Sequence, residues 1–537
     1  MSHFRLFVAA LSAASLLTPV AAIADASDAQ ISAIIDEGLN RSEAMTSASQ
    51  LMDGIGPRLT NSENFRRATD WAQARFTAIG LQNVHREAFD FGLGWNLESY
   101  SATMISPRRV AMTAIPVAWS PPINGTLRAS VIVAPMSKAE HFAQWKGKLA
   151  GKIVLVSLPG STNEPGKPAF QRYDDKAVGD LDHFDFPNFD PDASDRRLKR
   201  TSFPLELTQF LKAEGAVAMI RISYRDGKLV HGEGYNYRPG QTMAVPAFEI
   251  AAEDYRRMVR LAKSGPAPEV DLALAARYDD KQLNAENQFA EIVGSDPKAG
   301  YVMAGAHFDS WIAGDGAADN GAGSIVVMEA ARILSRLGVK PRRTIRFALW
   351  AGEEQGLLGS RAYIESHLAT RPVDPKLTGI AAYSAWSQAW PITPKAGFND
   401  LKAYFNLDNG SGRIRGIYAE NNISAAPMLR KWLAPFAGMD AEKVITGKTG
   451  GTDHVYLQAI GIPGYQFIQD PLDYGSQVHH SSIDTVDHLR GEDLRQAATI
   501  MAAMLLQAAD SDKDLPRQPL PTKPTPTDPF KVTNPDE

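Results

Sequence analysis

The chain has 537 residues, a formal net charge of -5 and 44% hydrophobic residues. That length allows two to four domains with a sizeable core, and the charge leaves no room for the broad basic face of a nucleic-acid binder. There is no cysteine, which excludes disulfides, zinc–thiolate sites and a cysteine nucleophile, so any metal must be held by His, Asp and Glu.

Residues 1–24 have the form of a secretory leader: Arg5, an apolar run over 6–17, and the small-residue cleavage site Ala22-Ile23-Ala24. The run is short for a bilayer span. A secreted or periplasmic protein is expected, with no stable membrane association once the leader is cleaved. Residues 25–115 read as the first part of the main domain, with helical spacing over 48–54 and 65–80 and a turn at Gly56-Pro57-Arg58. The texture changes over 116–283. Short β-rich runs at 129–134 and 152–157 flank a Pro-, Asp- and Phe-rich loop at 160–195, and a helix end, a Gly stop and a buried strand follow at 213–220. This stretch is expected to be an inserted, β-rich domain.

Regular α/β texture runs over 284–511. Strands are expected at 301–306, 344–350, 402–407 and 464–469. A helix is expected at 324–337, with apolar residues at 327, 331, 334 and 337, and a closing helix at 492–509. Residues 512–537 are rich in Pro, Thr and charge and read as a loosely packed tail. The fold class that follows is α/β: a mixed, mostly parallel central sheet flanked by helices.

The chemistry-bearing residues sit at the ends of those strands. His307 follows the first, Glu353 and Glu354 the second, and Asp408 the third. Asp319 lies in a Gly-rich turn before a helix, and His480 in a loop after the last strand. Ligands of open parallel sheets bind beyond the carboxyl ends of the strands, so these positions converge. Each motif alone has a bland reading. His307-x-Asp309 would be a surface pair, Asp319-Asn320-Gly321 a turn and helix cap, Glu353-Glu354 compensation of a helix dipole, Asp408 a strand-end cap, and His480 an exposed imidazole. Together they make a ligand set for two divalent metals. Asp309 is expected to accept the second ring N–H of His307. Asp319 offers two oxygens and can bridge. Asp319, Glu354 and Asp408 supply the anionic charge, and Glu353 remains as a general base for a water activated between the metals. Such a site suits hydrolysis of a peptide.

The order His-x-Asp, Asp-Asn-Gly, Glu-Glu, Asp, His over 285–510 resembles the co-catalytic zinc exopeptidases, a family that takes in aminopeptidases, carboxypeptidases and transferrin-receptor-like proteins. The likeness is carried by the segments 314–321, 349–356 and 478–481, with a further echo at 56–62. It implies the zinc exopeptidase fold, an insert similar to a protease-associated domain, and two Zn2+ per chain. By position, His307, Asp319 and Asp408 would hold one ion and Asp319, Glu354 and His480 the other. Glu353 would be the base, Asp309 would stand behind the ligands, and His479 would steady the oxyanion. Either member of the His479-His480 pair could ligate, and the spacing to Asp484-Thr485 favours His480. The segment 450–454 is similar to one that borders such sites, which makes Asp453 and His454 pocket candidates. The implied partners are a peptide substrate and, as in many relatives, a second copy of the chain.

Three matters stay open at this level. The segment 381–400, with Tyr383, Trp386 and Trp390, is either a hydrophobic cluster under a loop or a lid over the substrate. Arg413 and Arg415 either read a substrate carboxylate or are solvated surface arginines. The exopeptidase could be an aminopeptidase, a carboxypeptidase or a dipeptidase. The alternatives from other classes are a non-catalytic transferrin-receptor-like binding protein, against which the complete ligand set speaks, and a single-zinc cyclase or amidohydrolase on the same fold.

Overall fold

The structure is a computed structural model and describes residues 26–162, 166–184, 192–234, 242–377, 379–386 and 389–522. The leader at 1–24 and residues 523–537 of the tail lie outside the described residues.

Eight strands form the main sheet. Their order is Gln82–Asp90, Asn284–Ile292, Thr344–Trp350, Tyr301–His307, Leu401–Asn406, Gly464–Gln469, Ile414–Tyr418 and Lys443–Ile445. The four central strands, Thr344–Trp350 through Gly464–Gln469, are parallel to their neighbours within the group. Antiparallel strands flank them, so the sheet is mixed. Nearly every residue of Tyr301–His307 and of Leu401–Asn406 is buried, as expected of parallel strands covered on both faces. One face is covered by helices Asp28–Asn40, Ala44–Met52, Ala322–Arg336 and Gly491–Asp510. The other is covered by the segment around Tyr363, Leu368, Trp386 and Leu457. The expected elements of this region form within a residue or two of their predicted bounds, because each carries its own apolar period.

A second eight-stranded sheet spans the chain between Gly94 and Asp279. Its order is Val110–Ala111, Gly94–Met104, Glu269–Asp279, Leu127–Val133, Ile153–Leu155, Ala218–Ile222, Ala247–Ile250 and Ala114–Pro116. Two of these strands lie upstream of residue 116, where the sequence texture changes, and a third, Ala114–Pro116, ends at it. Helix Ala193–Ala213 belongs to this stretch of chain and packs against helix Gly379–Trp386 of the main part. Among the described residues no helix is long and apolar enough to cross a membrane.

Candidate metal centre

The carboxyl ends of the central parallel strands carry the site. His307 is the last residue of its strand, Glu353 and Glu354 come three and four residues after Trp350, and Asp408 comes two after Asn406. Asp319 sits in the tight turn Ala317–Gly321 that leads into helix Ala322–Arg336. Two clamps hold that turn. The Asp484 carboxylate accepts the backbone N–H groups of Ala318 at 2.6 Å and Asp319 at 3.1 Å. The Arg58 guanidinium, fully buried, donates to the carbonyls of Phe308 at 2.9 Å, Asp315 at 2.7 Å and Gly316 at 2.8 Å. Gly316 has a φ of +62°, and a Cβ there would stand 2.3 Å from Ser310 Cβ, so the turn admits no larger residue.

The two imidazoles approach Asp319 from different sides. His307 Nε2 lies 3.2 Å from Asp319 Oδ1 and 3.4 Å from Asp408 Oδ1. His480 Nε2 lies 3.1 Å from Asp319 Oδ2 and 3.0 Å from Glu354 Oε2. Each ring therefore faces its own oxygen of one shared carboxylate. Asp319 Oδ2 and Glu354 Oε1 are buried without a hydrogen bond, an expensive state for a polar atom unless a cation completes it. Two groups of donor atoms, His307 with Asp319 and Asp408, and Asp319 with His479 and His480, lie within 4.8 Å of one another. The donor set of imidazole nitrogens and carboxylate oxygens suits zinc.

The charges respond to this crowding. Burial, reinforced by Asp408, Asp453 and Glu354 against the pull of His307, holds Glu353 well above the usual carboxylate range. Burial and repulsion from Asp319, opposed by His480, push Glu354 up to about 7. Burial opposes a proton on His307, but Asp408 and Glu353 outweigh it and raise the ring well above its ordinary value. Glu354 and Asp319 do the same for His480.

Asp309 is placed differently from expectation. His307 Nδ1 lies 3.0 Å from the backbone carbonyl of Asp309 and 3.7 Å from its carboxylate. The carboxylate instead accepts the Thr60 hydroxyl at 2.9 Å and the backbone N–H groups of Glu353 at 3.2 Å and Glu354 at 3.3 Å. It ties the Glu353-Glu354 turn to the His307 strand end, because the two buried backbone N–H groups of that turn need an acceptor and the carboxylate offers one oxygen to each. His479 stacks on His480 with centroids 3.7 Å apart, and its Nε2 lies 3.7 Å from Asp319 Oδ2.

A cleft of about 790 Å³ opens over these residues. Its lining includes Asp319, Glu353, Glu354, Asp408, His479 and His480. Three further walls come from Gln355 to Leu357, from Gly450 to Thr452, and from Arg197, Arg200, Thr201 and Pro204 of helix Ala193–Ala213. Asp453 and His454 stand behind this lining rather than in it. Asp453 is buried, and desolvation pushes it up to about 7 despite Ser360, while His454 pairs with Glu420 at 3.3 Å. Arg413 and Arg415 do not line the cleft either. Both pair with the buried Asp470 at 3.3 Å, an acceptor 55 or more residues downstream that spacing near Asp408 does not reveal. Trp386 is packed in the cluster with Tyr456 and Ile460, under the guanidinium groups of Arg361 and Arg371, so the segment reads as a hydrophobic cluster there. The side chain of Tyr383 lies outside the described residues.

Sequence reasoning missed Thr60, Glu233, Tyr474, Arg197 and Arg200. Glu233 meets His480 Nδ1 at 2.6 Å, and Tyr474 lines the cleft and packs edge-on against His479. Apart from Thr60, which lies in the 56–62 segment, none sits in a motif. For Glu233 the local signal that could have drawn attention is the His231-x-Glu233 pair in the β-rich stretch.

Residues 287–505 match Peptidase family M28. Carboxypeptidase Q of Mus musculus is 26% identical over 472 residues, which cover 87% of this chain and 86% of that protein. The crystal structure of a peptidase M28 precursor from Shewanella amazonensis superposes with a TM-score of 0.66 at 24% identity, covering 92% of this chain and 98% of that one. A zinc aminopeptidase from Bacillus subtilis superposes with a TM-score of 0.56 at 20% identity, covering 88% and 95%. The fold of the chain is that of these peptidases.

Proposed function

We propose that this chain is a co-catalytic metallopeptidase of the M28 type, an exported dinuclear zinc exopeptidase that reads the free carboxylate of short peptides. The observation that carries the two-ion reading is the shared carboxylate: His307 and His480 turn their Nε2 atoms to different oxygens of Asp319, at 3.2 and 3.1 Å. His307, Asp319 and Asp408 would hold one ion, and Asp319, Glu354 and His480 the other. Zinc bound there would polarise the scissile carbonyl and make water a better nucleophile at neutral pH.

The remaining chemistry falls to side chains. The Glu353 carboxylate takes a proton from the attacking water as its oxygen bonds to the carbonyl carbon. It returns that proton to the amide nitrogen as the C–N bond breaks. Its buried place, with a carboxyl that protonates readily, suits this shuttle. Asp309 keeps the Glu353-Glu354 turn in register with the His307 strand end, and His479 stands at the cleft side of the site to meet the developing oxyanion. Arg197 and Arg200 bring cations to a cleft whose acidic residues would be neutralised by the ions. That polarity supports a carboxypeptidase or dipeptidase form, and the carboxypeptidase named among the relatives agrees with it. Export rests on the leader pattern at 1–24.

The deciding experiment combines metal analysis with a dipeptide panel. Purified protein should carry about two zinc ions per chain. Dipeptides with a blocked N-terminus should be cleaved and those with a C-terminal amide should not; the opposite preference would overturn the terminus assignment. Glu353→Gln should keep its zinc and lose on the order of 10²–10⁴-fold in kcat, and an undiminished rate would remove Glu353 from this role.

A further inference from the structure

His480 is gripped from outside the main sheet. After strand Ala218–Ile222 of the second sheet, the chain loops through Tyr224, Arg225, His231 and Glu233 before strand Ala247–Ile250. This loop is joined to the segment that carries the two histidines. The backbone N–H of Ser482 donates to the carbonyl of Val230 at 2.9 Å. Arg225 donates to the carbonyl of His479, and to that of Gly475 at 3.2 Å. Glu233 is buried and its Oε1 lies 2.6 Å from His480 Nδ1. The same oxygen accepts the Tyr224 hydroxyl at 2.9 Å, and the Glu233 carbonyl accepts Arg221 at 2.8 Å.

A carboxylate can only accept, so the contact assigns the proton to Nδ1 and leaves Nε2 as the nitrogen turned toward Asp319 and Glu354. It also fixes the rotation of the ring, since Tyr224 and the Arg221 contact hold Glu233 from behind. We propose that Glu233 is a positioning residue for His480, so that the second sheet completes the site on the main sheet. The proposal rests on the dinuclear reading above. Its physical content is that a buried carboxylate orients the imidazole and increases its basicity as a ligand.

The test titrates zinc alone into metal-stripped, full-length protein against a chromophoric chelator, for the wild type, Glu233→Ala and Glu233→Gln, with the thermal midpoint of each metal-free protein measured alongside. Glu233→Ala should weaken one of the two sites by about 10–100-fold and spare the other, the usual consequence of removing a ligand's outer partner. Glu233→Gln keeps an acceptor oxygen and should weaken the same site by a smaller factor. The metal-free midpoints should stay near that of the wild type. Wild-type affinity at both sites of Glu233→Ala would overturn the proposal. So would an equal loss at both sites with a fallen midpoint, which would make Glu233 a prop of the fold alone. If Glu233→Ala does not fold, Glu233→Gln decides: loss at one site supports the proposal and no loss overturns it. A wild type that binds fewer than two ions would instead defeat the dinuclear reading, and the proposal with it.

Discussion

The two sheets bury carboxylates under opposite conditions. In the second sheet, Glu249 is held by Arg221 at 2.8 Å and by His231 at 2.8 Å. Burial works against its charge, but Arg221 and His231 outweigh burial and bring it down to about 2. At the carboxyl edge of the main sheet, Asp319, Glu353, Glu354 and Asp408 gather around two imidazoles. Among the described residues none of the four has a Lys or Arg ion-pair partner. One set of buried charges is closed by Arg221 and His231, and the other has imidazoles but no Lys or Arg and could hold metal cations. The contrast separates a structural network from a metal centre more sharply than either cluster does alone, since perturbed acids occur in both.

Asp319→Ala removes the shared carboxylate, and the expected result is fewer than two ions per chain by elemental analysis and no measurable peptidase activity. Full metal content in that variant would show that the main-sheet cluster is not built around a bridge. On the other side, Glu249→Leu strands Arg221 and His231 in the second sheet. A loss of about 3–5 kcal/mol is expected in the urea midpoint at constant slope, with the zinc stoichiometry preserved in whatever fraction remains folded.

The pH response sharpens the same point. The folded value of Glu249 lies below its ordinary 4.5, at about 2. Its ionised form therefore contributes stability that is fully present above pH 4.5 and is lost as the pH falls toward 2. The contribution is on the order of 3 kcal/mol. The stability gap between the wild type and Glu249→Leu should narrow over that window, and a gap that widens on acidification would contradict the ion-pair account. The smallest effect is expected where the two regions meet over the cleft. Arg200→Ala should raise KM about tenfold for a dipeptide with a free carboxylate and leave a folded protein with unchanged zinc content. An equal change in KM for carboxylate-free substrates would remove Arg200 from terminus recognition.

The main sheet was legible because its signals are local. The apolar runs at 301–306 and 344–350 announce buried parallel strands, and the residues that follow each run must emerge at one edge. His307, Glu353, Glu354 and Asp408 could thus be placed together from strand ends alone. The partners of these residues could not. Asp309 meets Thr60 across 249 positions, Arg58 reaches Phe308 across 250, and Glu233 meets His480 across 247. Such contacts leave no period and no spacing in the chain. For the same reason Arg413 and Arg415 looked available beside Asp408, although Asp470 holds both.

The sequence by itself determined which side chains can bind metal and which strand ends present them, because ligand chemistry and hydrophobic period are properties of short segments. Only the tertiary structure decided what aims those side chains: a carboxylate from the second sheet behind His480, a buried guanidinium under the Asp319 turn, and an arginine-bearing helix along the cleft. Orientation depends on groups brought together by the packing of two sheets, and packing is settled by the whole chain at once.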